Sequence, residues 1–334
     1  MEDVAQAAGV SRMTVSRALR KDGTVSEQTR KRILDLVSKM NYVPDQMAGS
    51  LSTKKSGFVA TLVPSLNNVH YAKMVQALTE CIESTGMQIL LGHTDYSMAR
   101  EEQLVESMLK RRPEAIALPF DGHTKRTIKL LKQAGIPVLE LWETPSKPIG
   151  HTVGFSNEEA SFSMTKQLIE LGYTNIAFLC ETNDEWTRGA ARRTGFRLAM
   201  EEAGLSAHRL IRYGSPPMSI KDGYHIGKNL DQYASDTDCI FCVSDSPAFG
   251  VLTALQEKGI KVPDKVGIAG FGNFEVSRYS TPSITTVKVD PAELGRQAAE
   301  LVIQLLNDGS GKKSVKKKIE MNVSIELRNS TRQN

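Results

Sequence analysis

The sequence predicts two architectures in one chain: a small all-α module at the N-terminus, followed by an α/β region of two doubly wound parallel-sheet subdomains. Three observations carry this. Residues 3–40 keep a helical apolar spacing interrupted by two short turns. Residues 43–57 are polar and contain Pro44, Gly49 and Lys54-Lys55-Ser56-Gly57, a linker composition. From Phe58 onward, short apolar runs alternate with longer amphipathic segments, which gives parallel sheets with helices on both faces. A chain of 334 residues exceeds one compact core.

In the first module, a helix from Asp3 to Ala8 ends at Gly9, which permits a sharp turn. Ser11 precedes the second helix as its cap, with Thr14 three residues later. Ala5, Val10, Val15 and Leu19 have the spacing that packs these two helices together. Arg12, Met13, Ser16 and Arg17 are left on the outer, N-terminal part of the second helix, where a helix-turn-helix presents side chains to base edges. Ser26 caps a third helix with an apolar stripe of Ile33, Leu36, Val37 and Met40, and Arg30, Lys31 and Arg32 at its start can meet phosphates. The periodicity alone also fits a three-helix bundle whose polar faces are merely solvated.

In the α/β region the expected strands are Phe58–Val63, Gln88–Gly92, Ala115–Pro119, Val138–Leu141, Asn175–Cys180, Leu210–Tyr213, Cys239–Val243, Val266–Phe271 and Thr286–Val289. The expected helices are Ala72–Thr85, Ala99–Lys110, Thr124–Ala134, Glu158–Leu171, Ala190–Ala203 and Pro247–Lys258. Gly86, Gly135, Gly172, Gly204 and Gly259 each follow a helical segment, as C-terminal caps do. This many βα units exceed one ordinary sheet, hence two doubly wound subdomains.

Charge is unevenly distributed. Residues 1–56 carry ten Lys and Arg against six Asp and Glu, so they hold all of the net +4 and the remaining residues balance. That asymmetry points to a polyanion partner for the small module alone. The run Lys312–Lys318 holds five lysines and reads as a solvated loop.

Several chemistries are excluded. Gly270-Phe271-Gly272 lacks the third glycine of a dinucleotide fingerprint, and no phosphate loop, nucleophile elbow or HExxH pattern occurs, so no cofactor and no metal site are expected. Cys239 and Cys242 have CxxC spacing but stand in the apolar run Cys239-Ile240-Phe241-Cys242-Val243, the pattern of a buried strand. Four cysteines make no disulfide framework, no apolar run approaches the roughly 20 residues of a membrane span, and the first residues are not a secretory signal. The expected location is the cytoplasm.

Asp3-Val4-Ala5, Ala8-Gly9-Val10-Ser11, Thr14-Val15-Ser16-Arg17, Leu19 and Asn41-Tyr42-Val43-Pro44 together resemble the headpiece of LacI/GalR-family regulators. Ala269-Gly270-Phe271, the Thr281-Pro282 loop and Thr285-Thr286-Val287 extend the resemblance to essentially the whole chain. It implies a DNA-binding repressor that acts as a homodimer on a pseudo-palindromic operator, with a sensor built like a periplasmic sugar-binding protein. The implied DNA contacts are Ser11, Arg12, Met13, Thr14, Ser16, Arg17 and Arg30. Among them Arg12, Met13 and Arg17 are the major-groove readers, the arginines for guanine and Met13 for an apolar contact. Residues 45–52 match the family's hinge helix, with Ala48 and Leu51 at matching positions and Leu51 as a minor-groove wedge. The chain starts at the first helix, without the few residues that precede it in the family. The implied division is a helix-turn-helix domain over 1–44, hinge and linker over 45–57, and sensor over 58–334. The sensor splits into an N-subdomain of about 58–156 and 288–316 and a C-subdomain of about 157–287 and 317–328.

Ligands of doubly wound sheets bind beyond the carboxyl ends of the strands, so the candidates lie just after them. Ser65, Asn67, Asn68 and Tyr71 follow the first strand, Glu140 and Trp142 end the fourth, and Asp245 follows the Cys239–Val243 run. Met218 joins them as a candidate. Arg192-Arg193-Thr194-Gly195-Phe196 matches the family's Arg-x-x-Gly-aromatic motif, whose Arg faces the ligand, and Asp245 matches the acid of its Asp-x-x-Ala-x-Gly segment. Residues 102–155, through Glu106-Ser107-Met108-Leu109, Ala134-Gly135-Ile136-Pro137-Val138, Glu140-Leu141 and Val153-Gly154-Phe155, resemble the gluconate-utilisation repressors of that family. This implies gluconate or a related sugar acid as effector. Competing readings are a regulator answering a neutral sugar, a solute-binding protein with an unrelated basic segment, and a carbohydrate-processing enzyme. The enzyme would need a nucleophile–base pair or cofactor loop that the sequence does not display.

Overall fold

The computed structural model describes residues 1–19, 24–43, 56–182, 188–308 and 315–333. It divides into two compact units, Met1–Ser56 and Gly57–Asn334. Ala48 and Leu51, with most of the expected hinge, lie outside the described residues.

The first unit contains α1 (Glu2–Ala8), α2 (Arg12–Leu19) and α3 (Glu27–Lys39). Val4, Ala5, Ala8, Val15, Ala18 and Ile33 form its core, with Val10, Leu19, Leu36, Val37 and Tyr42 packed around them. Gly9 turns the chain between α1 and α2 at φ 60°, in the left-handed region where a side chain costs energy. Ser26 caps α3 by accepting from Thr29 N at 3.3 Å. Met40 departs from the expected stripe: it follows the last turn of α3 and is 42% exposed.

The second unit holds two six-stranded sheets. The first comprises β1 (Phe58–Val63), β2 (Gln88–His93), β3 (Ala115–Pro119), β4 (Val138–Leu141), β5 (His151–Gly154) and β11 (Lys318–Glu320), in the order β11-β5-β4-β3-β1-β2 and parallel throughout. The second comprises β6 (Ile176–Cys180), β7 (Leu210–Arg212), β8 (Cys239–Cys242), β9 (Gly267–Gly272), β10 (Thr285–Lys288) and β12 (Ser324–Glu326), in the order β12-β10-β9-β8-β6-β7. Only β12 runs antiparallel to its neighbour. The expected fold class is therefore the observed one.

Alternation along each strand feeds both faces of the first sheet. Val59, Val63, Ala115 and Ala117 enter the large core, whereas Ala60, Leu62, Ile116 and Leu118 enter a smaller one with Val105, Met108, Leu131 and Val138. The helices between strands are α4 (Val69–Glu83), α5 (Met98–Leu109), α6 (Lys125–Ala134), α7 (Asn157–Glu170), α8 (Arg188–Glu202), α9 (Ile220–Lys228), α10 (Leu230–Ala234), α11 (Asp245–Glu257), α12 (Glu275–Tyr279) and α13 (Pro291–Asn307). The five glycines expected to cap helices all have positive φ.

Three details differ from the sequence reading. β5 has no apolar run to announce it: His151 and Thr152 are polar yet buried, because the strand sits inside the sheet between β4 and β11. The described part of the lysine run is not wholly a solvated loop. Lys317 N donates to His151 Nδ1 at 3.0 Å, and Lys318 opens β11. Because β11 pairs with β5, the last crossing between sheets follows residue 320, later than the expected subdomain boundary at 317. Cys239 and Cys242 are free thiols in fully buried β8, and burial pushes both well above the usual thiol range. Among the described residues no helix is long and apolar enough to cross a membrane, and no group of three or more His, Cys, Asp or Glu can hold a metal ion.

Candidate functional site

In the small unit, the sequence of α2 separates a packing face from an outer face. Val15 and Ala18 are buried, whereas Arg12, Met13 and Arg17 are exposed, Met13 at 61%. A methionine so exposed gains nothing from the core and is available to a partner. Ser11 Oγ accepts from Thr14 N at 3.2 Å and meets Thr14 Oγ1 at 2.9 Å, so both hydroxyls close the first turn of the helix. Ser16 is half-buried. Arg12 pairs with Glu2 at 3.0 Å on the surface. Arg30 Nε donates to Ala18 O at 3.1 Å, tying α3 to the end of α2, so this arginine orients the outer helix from behind.

The second unit contains a cavity of about 740 Å³ when the open solvent at its mouth is counted. It lies where each sheet reverses its strand order, between β1 and β3 in one and between β6 and β8 in the other. The first sheet contributes Asn68, His70 and Tyr71 beyond β1, Tyr96 beyond β2, Asp121 beyond β3 and Trp142 beyond β4. The second contributes Glu181, Arg188, Arg192, Met218, Ser244, Phe271 and Phe274.

Five expected effector residues, Asn68, Tyr71, Trp142, Arg192 and Met218, line this cavity. Arg192 projects from α8, its Nε donating to Asn157 Oδ1 at 2.9 Å and its Nη1 to Val243 O at 2.6 Å, with the guanidinium 3.5 Å above the Phe271 ring. Burial lowers it to about 10, with neighbouring Arg188 adding to the effect, so it stays charged at neutral pH. The motif glycine has a packing reason. A Cβ on Gly195 would stand 2.0 Å from Glu158 O, so α8 crosses α7 with backbones in contact. Gly195→Ala is expected to lower stability by about 1–3 kcal/mol, read as a shifted midpoint of urea unfolding.

The other four lie off the lining. Ser65 and Asn67 belong to the loop before α4, where Ser65 Oγ accepts from Asn67 N at 3.1 Å, and neighbouring Asn68 reaches the cavity instead. Asp245 is fully buried behind the wall, accepting from Phe274 N and Thr286 Oγ1, each at 2.6 Å. It thus fastens the loop that carries Phe274. Burial raises its carboxyl to about 6 against those hydrogen bonds. Glu140 is also fully buried, with Oε2 accepting from Ile149 N at 2.5 Å and Gly150 N at 3.2 Å. Its Oε1 lies 3.6 Å from His123 Nε2, and Glu101 Oε1 lies 2.7 Å from His123 Nδ1.

The sequence reading missed Arg188, Asp121, Tyr96 and Glu181. Arg188 donates from Nη2 to Tyr71 Oη at 2.5 Å and pairs with Asp121 at 3.3 Å, joining the two sheets' sides of the cavity. Burial alone would lower its guanidinium, but the Asp121 charge raises it. Two signals could have found these residues. Arg188 stands one helical turn before Arg192, on the same face. Asp121 follows the third expected strand just as the chosen candidates follow the others.

His70 also lines the cavity, stacked with Trp142 at 6.3 Å and edge-on to Phe274 at 4.1 Å. Burial, then the charges of Lys73 and Arg192, lower its imidazole to about 3, so it is neutral. The wall therefore offers two cations, two carboxylates, neutral hydrogen-bonding groups and aromatic faces, a set that suits a polar, hydroxylated or acidic small molecule.

Known proteins share this architecture. Residues 1–45 match the model for bacterial regulatory proteins of the lacI family, and residues 165–331 match that for a periplasmic binding protein-like domain. The chain is 32% identical over 303 residues to the HTH-type transcriptional regulator GntR of Escherichia coli (strain K12), spanning 91% of this chain and 90% of that protein. A crystal structure of a LacI family transcriptional regulator from Silicibacter pomeroyi is 52% identical, with TM-score 0.79, and covers 83% of this chain and 100% of its own. A second structure of a LacI-family regulator from that organism is 30% identical with TM-score 0.90, covering 98% of each chain. The helix-turn-helix headpiece and the periplasmic binding protein-like fold thus recur together, and the chain belongs to the LacI family of regulatory proteins: it is a DNA-binding transcriptional repressor with an effector-binding domain, and not an enzyme.

Proposed function

We propose that this repressor binds a pseudo-palindromic operator as a homodimer and releases it when a sugar acid, gluconate or a related aldonate, enters the cavity. The observation that carries the effector class is the pair of buried arginines, Arg188 and Arg192, in one cavity with Asn68, Tyr71 and Ser244. A guanidinium recognises a carboxylate, and the neutral groups suit hydroxyls. The resemblance of residues 102–155 to gluconate-utilisation repressors supports the same ligand. Arg12, Met13 and Arg17 are the proposed base readers. Leu51, with Ala48 in the hinge, is the proposed minor-groove wedge, although both lie outside the described residues.

Ligand and operator compete because each favours a different arrangement of the two subdomains, and useful switching needs roughly 1–3 kcal/mol of coupling. The test is titration of gluconate into the full-length protein bound to a duplex selected from a random library. Fluorescence anisotropy should fall to the free-DNA value within the millimolar range. Anisotropy that stays constant with gluconate but falls with a neutral sugar would replace the acid with that sugar.

A further inference from the structure

The cavity wall contains three buried polar atoms without a hydrogen-bond partner: Arg188 Nη1, Trp142 Nε1 and Asp121 Oδ2. Arg188 is 8% exposed and Trp142 5%. Both pack on one ring: the Arg188 guanidinium is 5.6 Å from the Tyr71 centroid, and Trp142 meets Tyr71 edge-on at 5.3 Å. Asp121 belongs to the same group through its ion pair with Arg188. Two donors without a partner therefore stand beside one acceptor whose only partner is the Arg188 charge.

Arg192, the motif arginine, is differently placed. A guanidinium chelates a carboxylate along its Nε–Nη2 edge or its Nη1–Nη2 edge. Here Nε is held by Asn157 Oδ1 and Nη1 by Val243 O, so one nitrogen of each edge is committed to the protein. One face of the group is also covered by Phe271. Asn157 in turn donates from Nδ2 to Trp142 O at 2.9 Å. The Trp142 backbone has φ 72°, an unfavourable conformation for a bulky residue, and persists only where its surroundings hold it. Arg192 thus reaches Trp142 through Asn157.

We infer that the effector is a 2-hydroxy acid whose carboxylate is taken by Arg188 Nη1 and Trp142 Nε1 and whose adjacent hydroxyl donates to Asp121, with Arg192 as a positioning residue. This rests on the sugar-acid reading above and assigns its polar end. A carboxylate supplies the acceptors that the two donors lack, and the neighbouring hydroxyl supplies the proton that Asp121 lacks. A neutral polyol offers Arg188 Nη1 and Trp142 Nε1 only uncharged acceptors, which make the weaker hydrogen bonds.

The test is isothermal titration calorimetry on the full chain with gluconate, 2-deoxygluconate and glucitol. Wild-type protein should prefer gluconate to both. Arg188→Gln should weaken gluconate about 100-fold and bring the acid-to-polyol ratio close to one. Trp142→Phe keeps the ring and removes only the N–H, and should lower that ratio about tenfold. Asp121→Asn should erase most of the preference for gluconate over 2-deoxygluconate. Arg192→Gln should weaken all three ligands in similar proportion, with its melting temperature recorded to separate loss of fold from loss of binding. If Arg192→Gln removes the acid preference while Arg188→Gln and Trp142→Phe keep it, the assignment is overturned and the sugar-acid reading stands. If wild-type protein binds neither acid, the sugar-acid reading fails, and this assignment with it.

Discussion

Glu140→Ala is expected to cost about 3–5 kcal/mol of unfolding free energy while leaving effector affinity of the folded protein within about threefold. Two backbone amides, of Ile149 and Gly150, lose their acceptor, and buried His123 loses one of its two carboxylates. The side chain is wholly inside the protein and off the cavity lining, so the loss falls on stability. Urea unfolding with and without effector separates the two quantities. An unchanged unfolding midpoint with a lost effector response would return Glu140 to the ligand site.

The same cluster predicts a pH dependence. Burial by itself would lower the His123 imidazole, but the hydrogen bond with Glu101 and the charges of Glu101 and Glu140 outweigh it and raise the group to about 9 from 6.5. Because the folded value is the higher one, the stabilisation is fully present below about pH 6.5 and is lost as pH rises through about 9, an effect of about 3 kcal/mol. Glu140→Ala should flatten that slope, since it removes one of the charges that raise His123.

Arg17→Ala is expected to weaken binding to a selected operator by about 1–3 kcal/mol, a factor of roughly 5–150, and to relax the preference at one base pair. Arg17 is exposed on α2, and the headpiece core is built from other residues, so the melting temperature should hardly move. Arg12→Ala should cost less, because Arg12 must first leave Glu2, a surface pair worth under about 1 kcal/mol. Anisotropy on the selected duplex and on a random duplex, at one salt concentration, measures both effects. Equal losses on the two duplexes would make Arg17 a phosphate contact and not a base reader.

Some of this was legible in the residue order. Period and punctuation placed the three headpiece helices, the alternation of strands and helices, and the capping glycines, because helices and buried parallel strands impose local patterns. Charge balance located the cationic module, and the Arg-x-x-Gly-aromatic spacing pointed to α8. Leucine-poor β5 escaped because burial between two neighbouring strands, not its own composition, keeps it in the sheet.

The chemistry of the cavity was decided in three dimensions. From sequence, Glu140 and Asp245 look like ligand residues, since one stands at the end of a strand and the other just after one. Folding turns one toward Ile149, Gly150 and His123 and the other toward Phe274 and Thr286, so their charges are spent on holding loops. Arg188, unremarked in the sequence, is brought to Tyr71 and Asp121 from segments more than sixty residues away. Residue order alone determined the two architectures, the exposed cationic face of α2 and several of the residues that line the cavity. Which polar groups remain free to meet that ligand was fixed only by tertiary structure, because a buried donor's partner depends on what the fold carries to within about 3 Å of it.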